Sequence, residues 1–315
     1  MNGQWSYNSN NTGVQASTCT ASGSYSTAMG DGTTASGDYS TSMGRSTAAS
    51  ALYSTAMGRS TAASALYSTA MGYGTDASGY FSTAMGSSTT ASALYSTAMG
   101  DGTIASGSRS TAMGSYTTAS DYASLSIGRY NSVNSTVTAG GSAASFDTDN
   151  AAFVIGNGYV DNSDWMNPIT VNSDAFVVYF NGNATLSGDL TINSDARLKD
   201  NIQPLGSTLN KLHQIEGKTY SFKKDEEHTP KIGVLAQEVQ AVFPELVTEG
   251  GDGILSVNYQ GLVPVLINAI NEQDAKMSEQ EVKMSEQDAK IAALEEMVRF
   301  LAVQQSQTTS TVAAN

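Results

Sequence analysis

The sequence predicts a mainly β protein: a parallel β-roll of short repeated coils, a β-rich stem, and a small α/β domain ending in a coiled-coil helix. Three observations carry this expectation. Met29, Met43, Met57, Met71, Met85, Met99 and Met113 recur at a fixed fourteen-residue step, each followed by Gly. Composition changes abruptly at Ser194: residues 1–193 hold no Lys or Glu, four Arg and eleven Asp, whereas 194–315 hold the other eleven basic and eighteen acidic groups. Near the C-terminus, Val263, Ile270, Met277, Met284, Ile291 and Val298 recur every seven residues.

The fourteen-residue period defines eight repeats over about residues 17–128, after a lead-in of residues 1–16, and Ile127-Gly128 closes the series in phase. "RSTAASALYSTAMG" (45–58) is followed by an identical copy at 59–72. So short a period cannot hold a packed helix pair, and Ser, Thr and Gly are poor helix formers. Two short strands and two tight turns fit it. In "YSTAMG" alternation places Tyr53, Thr55 and Met57 on one side and Ser54 and Ala56 on the other. Gly58 with the following "RS" reads as a turn and "TAAS" as the second strand. Stacked at one strand spacing per coil, the array is about 40 Å long. Only Ala and Ser fit inside so narrow a coil, which turns the larger Met and Tyr columns outward as an apolar stripe. Such a stripe marks an interface, and a cyclic trimer buries three of them along one axis. A monomeric solenoid with Met in its own interior is the alternative.

Residues 129–193 lose the period but stay strand-like: "AAFVIGNGYVDNS" (151–163) and "DAFVVYFNGNATLSGDLTIN" (174–193) alternate apolar and polar residues around Asn-Gly turns. Trp165 and Tyr179 are read as packing residues before ligand contacts. Asp147, Asp149, Asp161 and Asp164 follow no calcium-loop spacing, and no metal or cofactor is assigned.

The heptad column continues three residues on with Leu266, Gln273, Gln280, Gln287, Leu294 and Leu301, an a/d seam over residues 263–303. Its three Gln layers weaken the core and set register and chain number. A single helix folding back on its own domain is the other reading. The tail 304–315 is expected to be disordered.

Charge and composition exclude several roles. A net charge of −14 leaves no basic footprint for nucleic acid. No stretch approaches eighteen consecutive apolar residues, so no membrane insertion is expected. The N-terminus has neither the basic start nor the apolar run of a signal peptide, and release within an assembled virus particle is one route out of a cell. Cys19, the lone cysteine, excludes an intrachain disulfide or thiolate cluster and reads as a small packed residue.

"NSDARLKDNI" (193–202) holds the one candidate for chemistry. By spacing alone, Ser194 and Lys199 read as a turn residue and a solvated charge before a nucleophile and base. His213 and His228 sit in charged surroundings without a motif, and "EGGDG" (249–253) reads as a turn.

Two resemblances sharpen this. "ALYSTAMGRSTAAS" resembles the left-handed parallel β-roll repeat of trimeric autotransporter adhesin heads, with Met where that family often has Ile. The membrane-anchor β-barrel of that family is not seen in this sequence, so autotransporter function does not follow. The segments of 129–193 resemble the stems of viral tail-fibre proteins. "SDARLKDNI", then "IGVLAQEVQAVFPELV" (232–247) and "LSVNYQGLVPVLINAINE" (255–272), resemble in order the intramolecular chaperone domain of phage endosialidases and many tail fibres.

The second resemblance covers residues 194–272. It implies a domain that trimerises, guides folding of the fibre ahead of it and cuts itself off between Asn193 and Ser194. It implies Ser194 as nucleophile and Lys199 as general base, a self-cleaving serine endopeptidase with no external substrate. An ammonium cannot take a proton, so Lys199 must be held partly neutral by burial or nearby cations, from Arg197 or from a trimer interface. Asp195, Arg197 and Glu238 are possible supporting groups, with Glu238 read first as a helix-surface carboxylate. The implied whole is a homotrimeric virion tail fibre, made in the host cytoplasm and working outside it, that attaches to a host-surface receptor such as a glycan. The alternative is a surface β-solenoid that binds glycan or ice through its Ser/Thr ladders and carries a chaperone tail.

Overall fold

The computed structural model describes residues 5–7, 13–16, 18–133, 135–164, 166–223 and 228–312, without the side chains of Trp5 and 303–312; Trp165 lies outside the described residues. The chain divides into two compact units, Met1–Asn193 and Ser194–Asn315.

The first unit is mainly β, a solenoid of about eight turns. Each coil contributes a five-residue strand, from Thr27–Asp31 to Leu125–Arg129, and a two-residue strand, from Thr20–Ala21 to Thr118–Ala119. Successive coils pair in parallel with the fourteen-residue step preserved, so that Thr69, Ala70, Met71 and Gly72 lie beside Thr83, Ala84, Met85 and Gly86. Side-chain alternation decides what enters the coil. Ala56, Ala70, Ala84 and Ala98 from the long strands, and Ala49, Ala63, Ala77 and Ala91 from the short ones, are fully buried. Buried Ser and Thr columns, such as Ser54, Ser68, Thr61 and Thr75, complete the interior. Met and the Thr two residues before it are half-buried on the opposite face. The interior alternative for Met is thereby excluded within a single chain.

The aromatic column departs from the strand reading. Tyr53 is not a strand residue: the strand begins at Thr55, and Tyr53 occupies a turn at φ +57° with its amide donating to the Asp38 carbonyl. Tyr25, Tyr39, Tyr53, Tyr67, Phe81 and Tyr95 all adopt this left-handed conformation, and their rings stack at 4.9–5.0 Å along the corner of the coil. Gly58 likewise belongs to the strand, at φ +123°, and the turn falls at Ser60, φ +56°. The second strand is shorter than "TAAS" suggested, only Ala62–Ala63.

The Gly column is demanded by close approach. A Cβ on Gly72 would overlap the carbonyl oxygen of Gly86, and the same relation repeats along the array. Cys19 is buried, and its thiol donates to the Gly30 carbonyl at 3.2 Å.

After the last coil, Ala151–Asn157 takes the place of a ninth long strand, parallel to Leu125–Arg129 with Ile155 opposite Ile127. Val154 is fully buried, opposite the interior Ser126. Asp174–Tyr179 and Ala184–Leu186 extend that sheet antiparallel, and Tyr179 packs against the Ala151–Val154–Val177 cluster. The fully buried Asp121 carboxylate fastens the intervening loop, accepting from the amides of Thr138 and Ala151 at 2.7 Å and the Thr138 hydroxyl at 2.6 Å.

The second unit holds α1 (Leu209–Leu212), the hairpin Lys218–Tyr220/Lys231–Gly233, α2 (Ala236–Val242), the hairpin Val247–Glu249/Leu255–Val257 and the long α3 (Leu262–Val312). Val239, Phe243 and Val265 form its core, with Leu212, Ile215 and Val234 packed around them. Pro244 follows directly after α2 and its C-cap Phe243, where a proline cannot continue the ladder. The helix α3 runs through Val312, into the segment expected to be disordered. Most a and d residues of its seam are more than half exposed in the single chain, Val298 at 64% and Leu294 at 60%. Among the described residues, no helix is long and apolar enough to cross a membrane.

Candidate active site

Ser194 is the first residue of the second unit. Four residues later the chain has turned back on itself, because Ala196–Leu198 form a single 3-10 turn. The Leu198 amide donates to the Asp195 carbonyl at 3.0 Å and the Lys199 amide to the Ala196 carbonyl at 3.1 Å. Asp195 caps the turn, its Oδ1 accepting from the Arg197 amide at 2.9 Å. The result brings two candidate residues together: Lys199 Nζ donates to Ser194 Oγ at 2.7 Å. In this protonation state the lysine is the donor. After losing a proton, the same nitrogen faces the hydroxyl as an acceptor, which is the geometry a general base requires.

Asp195 and Arg197 form a second pair. Arg197 Nη2 donates to Asp195 Oδ2 at 2.6 Å, and Nε contacts both carboxylate oxygens at 3.1 Å. The guanidinium and the Arg197 amide hold the Asp195 carboxyl below the usual carboxylate range, and the carboxylate raises the Arg197 pKa in turn. Arg197 therefore has its charge matched by Asp195, which weakens it as a cation for neutralising Lys199. Ser194, Asp195, Arg197 and Lys199 are all exposed in the single chain, so burial of Lys199 is not supplied there either.

Glu238 lies in a different network. Its carboxylate accepts from the Glu216 amide at 3.0 Å and contacts Lys218 Nζ at 3.3 Å, and Lys218 also bonds Glu216. The Glu216 amide first, and Lys218 after it, hold the Glu238 carboxyl below its ordinary value. This network ties the approach to the first hairpin to the start of α2. His213 is the C-cap residue of α1.

Sequence reasoning missed a polar latch in this unit. Glu272 of α3 accepts from the Thr208 amide at 2.5 Å, the Ser207 hydroxyl at 2.9 Å and the Leu209 amide at 3.4 Å, covering the N-terminus of α1. Asn268, one turn earlier, donates to the Gly206 carbonyl at 2.6 Å and to Glu272 at 3.0 Å. The sequence signal was local: Ser207-Thr208 is a helix-start pair without a nearby acidic N3 partner, so the acceptor had to come from elsewhere.

Comparison with known proteins agrees with this division. Residues 194–248 match the family model described as chaperone of endosialidase. Residues 21–47, 49–75, 77–103 and 105–131 each match the YadA head domain repeat, two copies per match. Among curated proteins, the long tail fiber protein Gp37 of Escherichia phage AR1 is 39% identical over 97 residues, 28% of this chain and 9% of that protein. The corresponding protein of Enterobacteria phage K3 is 32% identical over 157 residues, 46% of this chain and 12% of that protein. That of Salmonella phage S16 is 32% identical over 110 residues, 32% of this chain and 15% of that protein. The chain thus spans 15% or less of the length of these relatives. Repeat, terminal domain and relatives together support a phage tail-fibre protein, in which YadA-type head repeats precede a chaperone-of-endosialidase domain.

Proposed function

We propose that this chain is a homotrimeric, host-attaching segment of a phage tail fibre, whose C-terminal domain assists trimer folding and then cleaves itself off between Asn193 and Ser194. The observation that carries the cleavage reading is the 2.7 Å contact between Lys199 Nζ and Ser194 Oγ, made by the first residues of the second unit. Lys199, once neutral, takes the hydroxyl proton as Ser194 Oγ attacks the Asn193 carbonyl carbon. The C–N bond breaks, its nitrogen takes the proton to become the free amine of Ser194, and an ester links Asn193 to Ser194 Oγ. Water hydrolyses the ester, leaving the Asn193 carboxylate and restoring the hydroxyl.

Trimerisation rests on two apolar surfaces that a lone chain leaves open. One is the a/d seam of α3. The other is the outer Met column with the aromatic corner beside the Thr column, running the length of the solenoid. Assembly is also the remaining source of the desolvation that Lys199 needs, which would make cleavage report a completed trimer.

Electrophoresis of the purified chain tests this. The wild type is expected as fragments 1–193 and 194–315, and Ser194→Ala and Lys199→Ala as full-length chains. An uncut wild-type trimer overturns the peptidase assignment, and a monomer by light scattering overturns the trimeric fibre. A second reading draws on one feature: Thr27, Thr41, Thr55, Thr69, Thr83, Thr97 and Thr111 form an outward ladder in strand register, a surface able to order water or sugar hydroxyls. Thermal hysteresis in solution would favour it.

A further inference from the structure

We propose that Asp195 and Arg197 are positioning residues for self-cleavage: a carboxylate–guanidinium brace that closes the turn delivering Lys199 to Ser194. The inference rests on the Ser194/Lys199 reading and adds to it the device that assembles the pair. Five residues in extended conformation span about 17 Å, a gap that a lysine side chain cannot bridge. The pair exists because the chain reverses within residues 195–199. Two backbone bonds define that reversal, Leu198 amide to Asp195 carbonyl and Lys199 amide to Ala196 carbonyl. Two backbone bonds on an exposed, three-residue turn compete poorly with water, and isolated short turns are not stable on their own.

The Asp195 carboxylate supplies what the backbone lacks. Oδ1 takes the Arg197 amide, one of the N–H groups that a helical start leaves without an acceptor. Both oxygens are then held by the guanidinium of the same residue, through Nε and Nη2. Backbone and side chain of Arg197 therefore grip one carboxylate, which fixes the Asp195 rotamer in the capping position. Among the described residues the guanidinium bonds nothing else, and it is highly exposed. An ion pair so exposed contributes little to global stability. Its effect falls instead on the local population of the closed turn, and so on the fraction of chains in which base and nucleophile touch. The cleavage rate is proportional to that fraction, so loss of closure is read directly as slower cleavage.

The experiment is single-turnover self-cleavage of the full chain after synthesis in a cell-free system, followed on gels over time, with assembly monitored in parallel by light scattering and helical circular dichroism. Asp195→Ala is expected to assemble like the wild type and to cleave at least tenfold more slowly. Asp195→Asn keeps a side-chain oxygen for the Arg197 amide but loses the charged clamp, and is expected to recover part of that rate, to about the level of Arg197→Ala. Arg197→Ala keeps the cap but loses the clamp and is expected to slow cleavage several-fold; it also carries the test if Asp195→Ala fails to assemble. A merely structural role predicts slower cleavage only in step with lost assembly, and no rescue by Asn. Wild-type rates in the assembled Asp195→Ala and Arg197→Ala chains overturn the proposal, as does an Asp195→Asn rate no better than that of Asp195→Ala. A wild-type chain that stays uncut, or a Ser194→Ala chain that is cut, is a different failure, that of the underlying dyad.

Discussion

Asn131 pairs with Thr118 as though it were a β-strand. Its Oδ1 accepts from the Thr118 amide at 2.7 Å and its Nδ2 donates to the Thr118 carbonyl at 2.9 Å. The stack of two-residue strands ends at Thr118–Ala119, and an unpaired edge there would leave backbone groups open to water or to another chain. One buried side-chain amide fills both bonds that the next coil would have made. Asp174 holds the amides that follow, accepting from Ser132 at 2.9 Å and Val133 at 2.6 Å.

Replacing this amide is expected to unfasten the end of the solenoid. Asn131→Ala leaves a donor and an acceptor of Thr118 without partners, each costing about 1–3 kcal/mol where water does not replace the bond. Hydrogen exchange at the Thr118 amide should accelerate strongly, while amides in the central coils, such as Ala70, keep their protection. Unchanged exchange at Thr118 would show that the edge is satisfied in another way.

The Gly column sets a second expectation. Gly72→Ala places a methyl against the Gly86 carbonyl oxygen at a backbone φ of +124°, which side chains rarely adopt. Loss of about 2 kcal/mol or more is expected, since neither the backbone of the next coil nor the torsion can yield locally. Gly188→Ala is the matched control, with nothing near its Cβ and no left-handed torsion. Urea titrations of the two variants should separate cleanly, and equal midpoints would contradict the close-approach argument.

At the aromatic corner the usual preference between Ala and Gly reverses. Tyr67 holds φ +58°, a conformation costing about 1–2 kcal/mol for a residue with a Cβ. It stacks on Tyr53 and Phe81, each at 4.9 Å between ring centroids, and each such contact contributes about 0.5–1.5 kcal/mol. Tyr67→Ala loses both stacks and keeps the strain; Tyr67→Gly loses the stacks and removes it. The Gly variant should therefore melt above the Ala variant, and the opposite order would mean that the strain of the left-handed torsion is smaller than the unfolded-chain entropy that glycine adds.

These residues also show how far the sequence could be read. The fourteen-residue step was legible because each coil meets the same neighbours, so an identical demand rewrites identical letters at Ala70, Met71 and Gly72. Tyr53, the counterpart of Tyr67 one coil earlier, was misread as a strand residue because it continues the alternation of Thr55 and Met57, and a left-handed torsion in a non-glycine leaves no mark in alternation. Asn131 was invisible for a related reason: a side chain standing in for a backbone has no period. In the second unit, Ser194 and Lys199 were legible only through the surrounding motif, since their meeting depends on a turn closed by Asp195. Glu238 had the right chemistry in sequence, yet Glu216 and Lys218 claim it in space. The latch of Glu272 on Thr208 spans sixty-four residues and lies off the heptad seam, so the uncapped Ser207-Thr208 start could be read locally but its acceptor could not.

That latch has a pH signature with a definite sign. The Thr208 amide, followed by Ser207 and the further groups at the start of α1, lowers the Glu272 pKa below the ordinary glutamate value. A depressed folded-state value means that the folded chain binds the proton less readily than the unfolded one. The resulting stabilisation is fully present above the unfolded glutamate pKa of about 4.3. It is lost as pH falls from there through the lower folded value. Glu272→Gln carries no such linkage. The comparison is made in the uncleavable Ser194→Ala background, with and without Glu272→Gln. Stability is best read there from helical circular dichroism, because the described helices all lie in the second unit. The gap between parent and Glu272→Gln should be constant near neutrality and close as the medium is acidified below about pH 4. A gap that stays constant across that range would mean that the carboxylate is not the group holding α1 to α3.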